Sequence, residues 1–489
     1  MTGSSLSPAV RSLGLVVILG AIMSVLDTTI VNVALDTLAR DLDAPLQDVQ
    51  WVATGYLLAL AAVIPITGWL ATAFGPRRVY LWALVAFTAG SALCAAAWNV
   101  ESLVVFRVLQ GVGGGMTLPI GQMMLARAAG PQNMGRVMSL IGVPIVLAPV
   151  LGPVLGGWLL DSFGWQLIFL INVPIGVLAV ALGLRRLPRS TGDREAAGPL
   201  DSSGLAMLAS GLPLFVYGLA EFGQTGTIAD GQVWLPLLLG AALVTTFVFH
   251  ALRVEHPLLD VRLFQNRAFS AAALTTFSLG GALFGAMLIM PLYYQVVRGE
   301  DALTTGMLLA PQGIGAALAM FLSGRFTDRV GGGPVAVAGI AILALSTIPF
   351  ALIGADDSFV LLSAFLVLRG FGIGTAIMPA MSAAYAVLTP DEITNATPQL
   401  TVLQRVGGSV GTAILSVVLA NNLDGARTPT AAADAFGSTF WWALAVALVA
   451  GIPALVLVRE ERRARKASGG AEQPRVRDEV AAERVEIAA

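Results

Sequence analysis

Charge is scarce in this chain: Asp, Glu, Lys and Arg make up 12% of its 489 residues, about half the share usual in soluble domains. That excludes a soluble enzyme, and it excludes a disordered polyelectrolyte as well. Cysteine is nearly absent. Cys94, set in an apolar run, is the only one, so neither an intrachain disulfide nor a cysteine metal cluster can form, and the thiol reads as a small buried hydrophobe. Lysine is reduced to Lys466. The two histidines, His250 and His256, flank a basic connector and read as solvated groups, with no metal site expected. There is no glycine-rich phosphate loop ending in Lys-Ser/Thr and no nucleophile standing with a base, which argues against an ATP-driven pump and against an enzyme. A formal charge of −2 offers no general attraction for nucleic acid.

What the chain has is apolar length. It is 56% hydrophobic with 54 glycines, and its mean hydropathy is +0.80. A bilayer-spanning helix needs about 20 apolar residues. Runs of that length predict six helices at 12–36, 48–71, 78–98, 102–126, 136–160 and 166–187. Two more follow at 204–222 and 232–252, then a last six at 268–296, 303–325, 334–354, 358–386, 398–420 and 438–458. The expected fold class is an all-α polytopic membrane protein with fourteen transmembrane helices arranged 6+2+6. Its parts are a six-helix half over 1–190, a loop with two inserted helices and a connector over 191–267, a second half over 268–458, and a charged tail over 459–489 expected to be disordered in water.

The first apolar run is too long for a signal-peptide core and has no small-residue cleavage site after it, so it reads as a retained helix. With the N-terminus inside, about 22 of the 28 Lys and Arg side chains fall on the cytoplasmic side, which predicts that both termini are cytoplasmic. Abundant alanine and arginine in place of lysine point to a GC-rich bacterial genome and a plasma (inner) membrane location. Trp51, Trp98, Trp165, Trp234, Trp441 and Trp442 fall near span ends and read as interfacial anchors.

Two stretches repeat. Gly68 and Gly75 after helix 2, and Gly324 and Gly331 after helix 10, share a seven-residue separation. About forty residues later each copy sets an arginine just ahead of glycines, Arg107 before Gly111 and Gly113, then Arg369 before Gly372 and Gly374. Related halves of this kind are how many transporters build a midplane site that can face either side. Further segments carry a family pattern: Leu26-Asp27-Thr28-Thr29-Ile30-Val31-Asn32 on helix 1, Arg107-Val108-Leu109-Gln110-Gly111 on helix 4, Gly152-Pro153-Val154-Leu155-Gly156-Gly157 on helix 5, Trp165 to Gly176 opening helix 6, and Gln404-Arg405-Val406-Gly407-Gly408-Ser409 on helix 13. In order and spacing they resemble the major facilitator superfamily, and within it the fourteen-helix drug:proton antiporters of the EmrB/QacA type. The resemblance implies the major facilitator fold and export driven by the proton gradient without a cofactor. It also implies Arg107 as the helix 4 arginine that takes part in proton transfer, and the helix 5 stretch as a mark of antiporters. Two positions depart from the pattern: the loop acid after helix 2 is Thr72, and the arginine after Trp165 is Gln166.

The residues themselves single out Asp27. A carboxylate at the bilayer centre costs about 2.5 to 3.5 kcal/mol on insertion scales, so keeping one asks for a reason. Burial favours the neutral acid and a guanidinium favours the carboxylate, so such a group can take up and release a proton as its surroundings change. A structural acid paired permanently with arginine is the competing role. Arg107 cannot shed its proton and must find a partner wherever it is buried. The small residues Gly152, Pro153, Gly156 and Gly157, with Gly142 and Pro149, let a neighbouring helix approach closely and bend, which a generic packing seam explains too. Arg77 and Arg78 with Gly75, and Asp328 and Arg329 with Gly331, read as loop gates that reach neighbouring helix ends, or as plain positive-inside anchors. Glu221, a second acid near the end of helix 7, reads as interfacial. Tyr56, Met116, Gln122, Met290, Tyr293, Tyr294, Gln295 and Gln312 are candidates for a substrate cavity, because thioethers and aromatic faces suit large apolar or cationic ligands; ordinary packing accounts for any one of them equally well.

The functional expectation is a proton-coupled secondary active exporter of hydrophobic or cationic small molecules. Its partners would be substrate, protons and membrane lipids, with no nucleic acid or ATP, and its state monomeric. A lipid or lipid-precursor translocator on the same fold, an importing proton symporter, and a non-transporting sensor or scaffold with helices 7 and 8 as its contact surface remain alternatives.

Overall fold

The computed structural model of the protein describes residues 7–130, 133–188 and 192–486. The side chains of Pro149 and Pro153, all of Arg189, and the tail side chains beyond Lys466 lie outside the described residues. Thirteen described helices are long and apolar enough to cross a membrane, and Met134–Phe163 adds a fourteenth. In chain order the first six are α1 Pro8–Asp41, α2 Leu46–Phe74, α3 Pro76–Ala95, α4 Val100–Ala129, α5 Met134–Phe163 and α6 Gln166–Arg186. Then come α7 Ser202–Thr225, α8 Gly231–Arg253, α9 Arg267–Val297, α10 Ala302–Val330, α11 Gly332–Ala351, α12 Phe359–Ala386, α13 Pro390–Leu423 and α14 Pro429–Glu486. Each predicted span falls on one of them. Where a disordered tail was expected from 459, the backbone of α14 continues helical to Glu486, in keeping with a composition rich in Ala, Glu and Arg.

Local sequence sets the helix boundaries. Asn99 and Ser102 form a reciprocal capping box at the start of α4, and Thr389 and Glu392 form another at α13, where Pro390 sits in the first turn. Pro65 breaks α2 into a 3-10 turn over Ile64–Ile66. The repeated loops match in detail. Gly75 (φ 87°) joins α2 to α3, and Gly331 (φ 100°) joins α10 to α11, each in a region that side chains other than glycine rarely enter.

With fourteen crossings the described chain starts (α1) and ends (α14) at one end of the bundle, termed the near end, which also carries Arg77, Arg127, Arg136, Arg185, Arg325 and Arg329. α1 packs on α5, α4 on α2 and α3; in the second set α9 packs on α13 and α14, and α12 on α10 and α11. The two sets meet along α5 with α10 and α12, and along α4 with α13. Among the described residues, every hydrogen bond and ion pair joining them lies at the near end: Asp328 with Gly135 N–H (2.9 Å) and Arg136 (3.3 Å), and Arg127 with Asp391 (3.0 Å) and the Pro390 carbonyl (2.8 Å). The bundle is therefore closed at that end.

The inserted pair bridges the two sets. α7 lies against both α2 and α13, with Tyr217 stacked on Trp51 at 5.8 Å and Leu208 and Leu212 clustered with Ile66, Trp69, Val402 and Val406. Asp201 clasps this region. It caps α7 through Gly204 N–H (2.8 Å), accepts from Leu258 N–H (3.2 Å) in the connector, and binds His250 Nε2 (2.8 Å) on α8. His250, expected to be solvated, is thus a structural partner. Burial pushes the Asp201 carboxyl up, but the hydrogen bonds from Gly204, His250 and Leu258 outweigh it and hold the group below the usual carboxylate range. Since the folded value lies below that of the unfolded chain, the stabilisation is fully present above about pH 4 and is lost as pH falls through the lower, folded value. At neutral pH, Asp201→Ala should cost about 1–3 kcal/mol, seen as a lower melting temperature in detergent; an unchanged melting temperature would remove the clasp. Trp165 stands at a span end as expected, between α5 and α6, but it is 4% exposed and packs edge-on to Phe169, so protein covers it and it does not face the interface.

Candidate functional site

Asp27 sits midway along α1 and is 1% exposed; Arg107 on α4 is equally enclosed. Their side chains form a direct ion pair, Nη1 to Oδ2 at 2.5 Å. The other carboxylate oxygen accepts from Gln110 Nε2 (3.0 Å) on α4 and Asn172 Nδ2 (2.9 Å) on α6. Arg107 Nη1 also donates to Gln110 Oε1 (2.7 Å), and its Nε to the Val52 carbonyl (3.0 Å) on α2. Ser91 on α3 closes the network, accepting from Gln110 and Asn172 (both 3.1 Å) and donating to the Phe169 carbonyl (2.9 Å). Removing two charges from water is costly, and it is offset only when the remaining donors and acceptors are also satisfied. That condition is met for the carboxylate by groups from α4 and α6.

Tyr56 belongs to this cluster. Its ring lies under the Arg107 guanidinium at 4.1 Å, its hydroxyl faces the Ser24 carbonyl at 3.4 Å, and it is fully buried. It is a wall of the ion pair, where a cavity lining was expected. Gly114 shows why the helix can pack so close: a Cβ there would fall 2.6 Å from the Tyr56 hydroxyl.

The helix 5 glycines connect this cluster to the near end. Gly152 packs on Thr29, and a Cβ at Gly156 would lie 3.3 Å from Ile30, so both abut α1 just after Asp27; Gly157 faces open space. Thr29 Oγ1 adds a hydrogen bond to the Ala148 carbonyl at 3.2 Å. The same helix begins with Gly135 and Arg136, which Asp328 of the second half grips. Gly68 and Gly324 occupy matching places, each against the opposite half: a Cβ at Gly68 would lie 3.0 Å from the Thr394 carbonyl on α13, and one at Gly324 2.9 Å from the Gly135 carbonyl on α5. The charge on the two sides is not matched. At the position of Asp328 the first half has Thr72, whose hydroxyl merely bonds back to the Gly68 carbonyl at 3.1 Å. The contact there is Arg127 with Asp391, a pair whose carboxylate is almost wholly exposed and so contributes at most about 1 kcal/mol. Arg77 donates to the Leu184 carbonyl at 2.7 Å, within its own half, while Arg78 and Arg329 are exposed.

The remaining cavity candidates are scattered. Met290, Tyr293 and Tyr294 are buried inside the second half, in an apolar cluster with Phe436 and Phe440, and Tyr293 donates to the Gly354 carbonyl at 2.6 Å. Gln295 is exposed in the π-turn that ends α9. Met116 and Gln122 are buried in the large core. Gln312 is half-buried and accepts from Arg369 Nη1 at 3.1 Å. Glu221 is half-buried near the far end of α7. Gln110, Asn172 and Ser91 were not singled out from sequence as site residues, although Gln110 and Asn172 stand inside the family segments. A groove of about 300 Å³ between α10, α11 and α12 is lined by Leu322, Phe326, Val335 and Phe371 and includes none of the candidates. Among the described residues no group of His, Cys, Asp and Glu could hold a metal ion.

Similarity to known proteins identifies the family and the fold. The family model described as Major Facilitator Superfamily matches residues 17–412. A multidrug resistance protein B homolog of Mycobacterium tuberculosis is 43% identical over 408 residues, covering 83% of this chain and 75% of that one. The multidrug export protein EmrB of Haemophilus influenzae is 30% identical over 82% of this chain and 79% of its own, and a putative multidrug resistance protein MdtD of Cronobacter sakazakii is 31% identical over 91% and 93%. In fold, the chain resembles the human organic anion transporter MFSD10 (TM-score 0.61, 18% identity, 92% of this chain and all of that one). It resembles the proton:xylose symporter XylE to the same degree (TM-score 0.61, 14% identity, 92% and 95%). The chain belongs to the major facilitator superfamily, in its fourteen-helix multidrug-resistance branch.

Proposed function

We propose that the protein is a proton-driven exporter of hydrophobic small molecules, with Asp27 as the proton carrier and Arg107 as the group that controls it. The observation that carries this reading is the sealed Asp27–Arg107 pair, the clearest membrane-embedded acid in the chain held against a guanidinium that cannot deprotonate. A proton on Asp27 removes the charge that Arg107 neutralises, so α1, α4 and α6 must re-pack around an unpaired cation. Because Gly152 and Gly156 of α5 rest on α1 beside Asp27, that re-packing reaches the Asp328 grip at the start of α5, which holds the near end shut. We take the arginine-rich near end as cytoplasmic. The conformation closed there would then be the one that meets protons from outside, and the proton would bias the halves by binding one arrangement better than the other.

A membrane potential of 100 mV supplies about 2.3 kcal/mol per proton, enough for a gradient of about 50-fold of a neutral compound. α7 covers the seam between α2 and α13, which closes one sideways route that a lipid translocator would use. The test is uptake of lipophilic dyes into inverted vesicles under an imposed proton gradient. Uptake should stop when a protonophore collapses the gradient, and uptake that continues would overturn proton drive.

A further inference from the structure

Three arginines lie within the spans, and their partners differ. Arg107 has Asp27. Arg369 on α12, 2% exposed, has only neutral acceptors, Gln312 Oε1 at 3.1 Å and Thr347 Oγ1 at 3.4 Å. Arg405 on α13 has none among the described residues: its Nε is closed off from solvent and unbonded, while the residue as a whole is part-buried. Helical spacing puts Arg405 on the same face of α13 as Thr394, Pro398 and Thr401. The Thr394 carbonyl, Asn395 and Pro398 meet Gly68 of α2, so this side of α13 looks across at the first half, and Arg405 is within electrostatic reach of Tyr56 there. No Asp or Glu occurs in the interior of α9 to α13; Asp328, Asp391 and Glu392 stand at helix ends.

A guanidinium kept inside a membrane protein without an acid asks for an anion from elsewhere. We propose that Arg405 is the anion-recognising element of a substrate site between the halves, and that the exported compounds carry a carboxylate or similar acidic group on an apolar body. The planar fork of arginine suits two parallel hydrogen bonds to a carboxylate. A cationic substrate has no such counterpart, since Asp27, the acid buried at mid-span among the described residues of the first half, is already saturated by Arg107, Gln110 and Asn172. This names the substrate class of the exporter proposed above and rests on that reading, but binding needs no proton coupling and can be tested alone.

The probe pair is 1-pyrenebutyrate and its primary amide, titrated calorimetrically into the full chain in nanodiscs of phosphatidylcholine, with empty discs subtracted. The acid should bind about 10- to 100-fold more tightly than the amide, the range of a charge-assisted hydrogen-bond pair. Arg405→Gln should erase that preference by weakening the acid alone, and Arg405→Lys should keep part of it, which separates loss of the site from loss of the fold. Equal binding of the two probes, or a preference that survives Arg405→Gln, overturns the proposal. So does loss of acid binding in discs of phosphatidylglycerol, which would make a lipid headgroup the occupant. Failure of gradient-driven transport with the preference intact would instead overturn the export reading and leave the site standing.

Discussion

Asp27→Asn should abolish substrate-dependent proton release and leave the protein measurably less stable. In the native chain a substrate added to the protein in weakly buffered detergent should displace protons, because substrate and proton favour different arrangements of α1 and α4. Asparagine keeps the shape of the side chain but cannot exchange a proton. Its carbonyl oxygen can still accept from Gln110 and Asn172, which turns its amide toward Arg107, so donor meets donor and the guanidinium is left buried and uncompensated. Breaking a buried pair from one side costs about 3–5 kcal/mol. Removing both charges, as in Asp27→Asn with Arg107→Gln, should cost less than the sum of the single changes, and the difference measures the pair. Proton release that persists in Asp27→Asn would mean that another group carries the proton, and additive losses in the double variant would mean that the two side chains do not act together.

This outcome also marks what a sequence can disclose about such a site. Asp27 and Arg107 stand out because a charge inside an apolar run is costly and therefore noticeable at any position. Gln110, Asn172 and Ser91 do not stand out, since neutral polar side chains are cheap in membrane helices and their role exists only once α3, α4 and α6 converge on one carboxylate. Tyr56 shows the opposite failure: an aromatic ring on a membrane helix suits a cavity and a core equally, and only its stacking on Arg107 decides. The spans were legible because bilayer thickness fixes their length, and the paired glycine loops because a positive φ admits few other residues. The grip of Asp328 on Gly135 joins residues 193 positions apart. Which helix end that acid would reach was set by packing between the halves, and nothing local encodes it.

Gly324→Val should hold the near end open and stop transport while leaving each half folded. The approach of α10 to α5 depends on the missing side chain: a Cβ at Gly324 would lie 2.7 Å from Ser139 Oγ and 2.9 Å from both Arg136 Cα and the Gly135 carbonyl, and two of these three are backbone atoms that cannot swing aside. Overpacking of this kind costs about 1–3 kcal/mol, and the halves can escape it by separating, since the contact lies between them and not within either one. The polar contacts that oppose separation are few, and one of them, Arg127 with Asp391, is weak because it is exposed. Accessibility reports the change. Cys94 is fully buried, so a cysteine-free background alters little at the surface, and Thr394→Cys places a thiol at the other near-end contact, where the native side chain is 2% exposed. A membrane-impermeant maleimide applied from the near side should label it several-fold faster with valine at 324, with alanine at 324 giving an intermediate rate. Unchanged labelling together with retained transport would show that the halves do not part along the α5–α10 contact, and the route from Asp27 through α5 to Asp328 would then have no mechanical end.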